Sequence, residues 1–123
     1  MNDKLLIGIG LCLCSALVQA DYLDVIDVKL KPACTLKDFI ALNKEMNEWG
    51  KPYNMTGEVV TSIFSDAPNS TAWVGRSPDA TSFGKAWDAW RTARDKGEAP
   101  VSKLNARWVE CTEILYRRAF DSY

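Results

Sequence analysis

From Tyr22 to Lys31 the chain alternates. Ile26, Val28 and Leu30 fall on one face, and Leu23 and Val25 share the other with Asp27 and Lys29. A period of two predicts a strand with one strongly apolar face and one mixed face. Pro32 cannot donate to a ladder and ends it. The period then lengthens. Leu36, Phe39, Ile40, Met46 and Trp49 recur near helical spacing, with Lys37, Lys44, Glu45 and Glu48 left for the outside, which predicts an amphipathic helix. Thr35 is placed to cap it, and Asp38 sits near its positive end. Gly50 stops this helix and Pro52 prevents a restart. The β-branched stretch 58–65 (EVVTSIFS) and the segment 71–76 (TAWVGR) predict two strands joined by a turn over 66–70, a hairpin. Ser77 as cap and Pro78 at the first helical position open a second helix. Its stripe is Phe83, Ala86, Trp87, Trp90 and Ala93, and Gly97 ends it. A shorter helix over 102–110 carries Leu104 and Trp108, and 113–120 (EILYRRAF) predicts a last strand.

The predicted order is β-α-β-β-α-(α)-β. This is the α+β, ferredoxin-like split βαβ arrangement, a four-stranded antiparallel sheet with its helices on one face. In the usual form of that sheet the first and last strands are antiparallel neighbours. The end of the first therefore lies beside the start of the last. Cys34 follows the first strand and Cys111 precedes the last, so the topology brings the two thiols together.

The first twenty residues stand apart from this pattern. Lys4 is followed by an uncharged run from Leu5 to Ala20 that closes on Val18-Gln19-Ala20. A basic start, an apolar core and an exit of small residues predict a cleavable secretory signal over residues 1–20. The alternative is a membrane anchor, but a span needs roughly 20 apolar residues and this run is shorter. Residues 21–123 then form one domain, exported to a periplasm or to the medium, with no stable membrane anchor after cleavage.

Compartment changes the meaning of the cysteines. Of the four, Cys12 and Cys14 leave with the signal. An even pair in an oxidising compartment predicts a Cys34–Cys111 disulfide; the alternative is two free buried thiols. Losing Asp3 and Lys4 leaves the formal net charge of −1 unchanged, and a near-neutral domain lacks the basic footprint of a nucleic-acid binder. The chain has no histidine. That removes Ser-His-Asp and Cys-His nucleophile systems, histidine-ligated haem and most zinc and copper sites. No metal and no cofactor is expected.

The segments DVIDVKLK leading into a capped helix, EVVTSIF with TAWVGR, and Ser77-Pro78 leading into FGKAWDAW together resemble the dimeric α/β-barrel superfamily over about residues 22–120. The likeness is to small exported bacterial members without an assigned activity. It implies a homodimer whose sheets face one another, with Leu23 and Val25 on the mixed face of the first strand suited to burial against the partner. It also implies a small aromatic or hydrophobic ligand between sheet and helices. Family enzymes often place a histidine or a histidine-bound haem in that space, and this chain departs from them in having none.

Trp49, Trp73, Trp87, Trp90 and Trp108 all fall within 21–123. Tryptophans could build a pocket for a planar ligand or fill a helix–sheet interface. Trp87 and Trp90, at helical spacing, fit the core reading, but they also join the candidate ligand site. Trp73 is the better pocket residue, because Gly75 beside it leaves room for a ligand or for close backbone approach. Asp24, Asp27, Lys29, Arg76, Arg117 and Arg118 are strand charges. An Asp and an Arg enclosed together could serve as base and anion clamp, and the alternative is ion-paired sheet surface. Asp27 and Arg76 complete the expected ligand-binding set of Trp73, Gly75, Trp87 and Trp90. Two functions remain open: a non-catalytic binder of a small apolar molecule or an interaction module, and a cofactor-independent monooxygenase, isomerase or cyclase.

Overall fold

The computed structural model describes residues 21–63 and 70–123. The predicted export signal lies outside them, as do residues 64–69, which include most of the predicted hairpin turn. The elements are β1 (Asp21–Leu30), α1 (Leu36–Gly50), a 3-10 turn (Lys51–Tyr53), β2 (Thr56–Thr61), β3 (Thr71–Ser77), α2 (Ala80–Asp95), α3 (Val101–Cys111) and β4 (Thr112–Ser122). The strands form one sheet in the order β2-β3-β1-β4, and each neighbouring pair is antiparallel. The chain is therefore α+β, with a four-stranded antiparallel sheet and three helices, compatible with the ferredoxin-like expectation.

Strand alternation assigns the two faces. In β1, Asp24, Ile26 and Val28 are buried, and they stand opposite Gly75, Trp73 and Thr71 of β3. Ile26, Val28 and Trp73 join Phe39, Leu42 and Met46 of α1, Trp90 of α2, and Val101 and Leu104 of α3 in one core. Phe39 has no exposed surface; burying a side chain of this size stabilises the fold by roughly 1.5–3 kcal/mol. Leu23 and Val25 point to the opposite face and remain half-buried. β4 pairs with β1 alone, and a bulge admits Leu115 as an extra residue beside Asp27 and Val28. Its Ile114, Tyr116 and Phe120 are exposed.

Local chemistry sets the helix ends. Thr35 and Asp38 form a reciprocal capping box, with the Asp38 amide donating to the Thr35 hydroxyl and the Thr35 amide donating to the Asp38 carboxylate. Hydrogen bonds from the Thr35 hydroxyl and then its amide hold the Asp38 carboxyl below its ordinary range. α1 ends at Gly50 as expected, but the left-handed residue that turns the chain is Asn54, at φ 53°. At the start of α2 the sequence expectation is corrected. The cap is Asp79, whose side chain accepts from the Ser82 amide at 2.7 Å. That bond lowers the Asp79 pKa. Ser77 instead closes β3, paired opposite Tyr22, because a residue preceding proline favours extended backbone. Its hydroxyl is buried without a partner among the described residues. Gly97 closes α2 at φ 68°, with the Glu98 amide donating to the Ala93 carbonyl at 2.8 Å, a Schellman-type stop.

α3 runs directly into β4. Cys111 ends the helix and is bonded to Cys34 as a disulfide, with Cα atoms 5.0 Å apart, inside the bridging range. The Lys31 amide donates to the Cys111 carbonyl at 2.9 Å, so the end of β1 and the start of β4 are joined by backbone as well as by sulfur. The predicted pairing of thiols and terminal strands is present.

Candidate functional site

Between the helix-covered face of the sheet and the helices lies a cavity of about 220 Å³, and all five tryptophans line it. They arrive from four different elements. Trp49 is carried on the last turn of α1, Trp73 on the inward register of β3, Trp87 and Trp90 on the apolar stripe of α2, and Trp108 on α3. Met46, Met55 and Phe83 add apolar wall. Trp49 meets Trp90 edge to face with ring centres 5.0 Å apart, and Trp73 meets Trp108 in the same way at 6.1 Å. These are favourable quadrupole geometries, so the rings brace one another around the space.

Trp73 is the best anchored. It is 4% exposed, and its Nε1 donates to Asn43 Oδ1 at 2.8 Å. Its indole covers the backbone at Gly57 and Gly75, which face each other across β2 and β3. A Cβ on Gly75 would stand 2.5 Å from Trp73 Cη2, and one on Gly57 would collide with Trp73 Nε1. The space beside Gly75 is thus filled by the neighbouring indole, and Gly75 is a seat for Trp73 rather than a lining residue. Asn43 Nδ2 and Asn47 Nδ2 both donate to the Gly57 carbonyl at 2.9 Å, and Asn47 Oδ1 accepts from the Gly57 amide at 2.6 Å. Two asparagines one helical turn apart therefore fasten α1 to β2 and fix the acceptor, Asn43 Oδ1, that orients Trp73.

One polar part of the wall is an ion pair. Arg117 of β4 donates from Nε to Asp24 Oδ1 at 2.9 Å and from Nη2 to Asp24 Oδ2 at 2.8 Å. Its guanidinium lies 4.4 Å from the centre of the Trp87 ring, a cation–π contact. The hydrogen bond to Asp24 raises the Arg117 pKa above its ordinary value, so the group stays charged across the working range of pH. The Asp24 side chain is 5% exposed and that of Arg117 is 37%. A bidentate pair of this kind is both strong and directional.

Of the residues picked from sequence, Trp73, Trp87 and Trp90 come together in the cavity. Asp27 and Arg76 do not. Asp27 is bound by Arg118 at 2.6 Å, and Arg76 lies 3.9 Å from both Asp21 and Glu58. Both point to the uncovered face, because in β1 and β3 the residues one or three steps away, Ile26 and Asp24, Gly75 and Trp73, point inward. Sequence reasoning named Asp24 and Arg117 among the strand charges without selecting them. It also passed over Asn43 and Asn47, whose four-residue spacing on a polar stretch was the available signal. Among the described residues no cluster of three His, Cys, Asp or Glu side chains could hold a metal ion. No described helix is long and apolar enough to cross a membrane.

Compared with models of known protein families the chain matches none, and no curated protein is significantly similar to it.

Proposed function

We propose that this protein binds a small, planar, apolar or aromatic molecule in the tryptophan-lined cavity. The observation that carries the reading is the convergence of all five tryptophans on one space, when core filling alone would distribute them wherever volume was needed. An apolar cavity of about 150 Å³ accommodates benzene, so about 220 Å³ suits one or two fused rings. The enzymatic alternative calls for a free general base. The carboxylate on the cavity wall, Asp24, has both oxygens engaged by Arg117, which favours binding over proton abstraction. Titrating the full chain with a panel of apolar aromatic compounds should quench or shift its tryptophan fluorescence to saturation. A flat response to every compound would remove the binding reading.

The assembly we propose is a homodimer of the ferredoxin-like, dimeric α/β-barrel type. Leu23, Val25, Val60, Val74 and Phe120 share the sheet face away from the core, and Val60 and Phe120 are exposed. An apolar sheet face of this kind calls for a cover. Sedimentation at micromolar concentration is expected to give twice the chain mass, and a single monomeric species would overturn the assembly. Export to an oxidising compartment is the third element of the proposal, supported by the Cys34–Cys111 disulfide.

A further inference from the structure

Three charged side chains line the cavity: Asp24, Arg94 and Arg117. Both arginines are ion-paired, Arg117 with Asp24 on the wall and Arg94 with Asp95 just outside it, yet neither pair uses every donor of its guanidinium. Arg117 commits Nε and Nη2 to Asp24, and its Nη1 has no hydrogen-bond partner among the described residues. Arg94 holds Asp95 through Nε and Nη2, and Asp95 is not part of the lining. Its Nη1 is likewise without a partner among the described residues. Asn105 adds an uncharged side-chain amide to the same wall. The remainder is aromatic or aliphatic, so the few donors on the wall set where a polar group of a bound molecule can sit.

A tryptophan cage can also receive a cation. Here the Trp87 face is already taken by Arg117 at 4.4 Å, and a second cation would meet two arginines. A neutral arene offers the free guanidinium edge no acceptor. A carboxylate satisfies it, since guanidinium and carboxylate match in shape and charge. We infer that the ligand is a planar aromatic acid, its rings held among the tryptophans and its carboxylate taken by the free edge of Arg117, with Arg94 supplying a second guanidinium. This rests on the binding reading above and specifies the chemical class it takes.

Three probes that share one ring system separate the possibilities: naphthalene carboxylate, naphthalene carboxamide and naphthylmethylammonium. Each would be titrated calorimetrically into the full chain with its disulfide intact. The carboxylate is expected to bind roughly tenfold tighter than the amide, the gain of a charge-assisted over a neutral hydrogen bond, and the ammonium weakest. Arg117→Gln alone strips a buried carboxylate of its partner and endangers folding. The paired change Asp24→Asn with Arg117→Gln keeps the wall neutral at that point. It should abolish most of the carboxylate's advantage while the amide still binds. If the amide or the ammonium equals or exceeds the carboxylate in the parent protein, the assignment of an acid fails and the aromatic-binding reading stands. A carboxylate preference left intact in a folded double variant sinks it equally. If none of the three binds, the assignment of an acid fails, and the response to the wider aromatic panel decides the binding reading. Should the double variant not fold, the comparison within the parent protein decides.

Discussion

Replacing both disulfide cysteines, Cys34→Ala together with Cys111→Ala, should lower stability by about 4 kcal/mol in urea unfolding. The bridge closes a loop of 77 residues, and in the chain-entropy account a loop of that size restricts the unfolded chain by roughly 4–5 kcal/mol. Cys111 is also buried, at 6% exposure, so an alanine there loses a little packing as well. The value approaches the whole stability of many small domains, about 5–15 kcal/mol. The double variant should therefore be close to unfolding at physiological temperature. Its backbone link from the Lys31 amide to the Cys111 carbonyl remains, so whatever folds should keep the same strand order. A loss under 1 kcal/mol would mean that the bridge constrains the unfolded chain far less than its span implies.

Trp73→Ala is the second large effect. Truncating a buried tryptophan costs roughly 3–5 kcal/mol through lost transfer energy and the void left behind. Here three further consequences follow from the geometry. Asn43 Oδ1 loses its donor at 2.8 Å. The backbone at Gly57 and Gly75, which has no side chain of its own, loses the indole that covers it. Trp108 loses its edge-to-face neighbour. Thermal and denaturant unfolding should place the variant near the upper end of that range. Trp87→Ala should cost distinctly less, because Trp87 is only half-buried. Equal losses for the two would show that Trp73 is ordinary filling rather than the keystone of the cavity wall.

The element order was legible because periodicity is a local property. Alternation in 22–31 and helical spacing in 36–49 depend on residues a few positions apart, and both became the elements expected. The boundaries moved where two local preferences competed. Ser77 and Asp79 are both good caps, and Pro78 between them settled the matter by keeping Ser77 extended. The candidate site was legible in its residue types but not in its membership. The tryptophans stand out by type, while nothing local distinguishes Asp27 and Arg76 from Asp24 and Arg117. Residues on opposite faces of one strand look alike in a list. Which face is covered depends on the register with β3 and β4.

The amino-acid order alone was enough to give the number and kind of elements, the absence of histidine chemistry, and, through the place of Cys34 and Cys111 beside the terminal strands, the pairing of the two thiols. These follow from nearest-neighbour sterics, side-chain chemistry and chain connectivity. The folded molecule was needed to bring five tryptophans from α1, β3, α2 and α3 around one space. It also turned Asp24 and Arg117 inward as a pair and laid the Trp73 indole across two facing glycines. Those outcomes depend on distances between residues far apart along the chain, which are set by packing and strand register and leave no local trace.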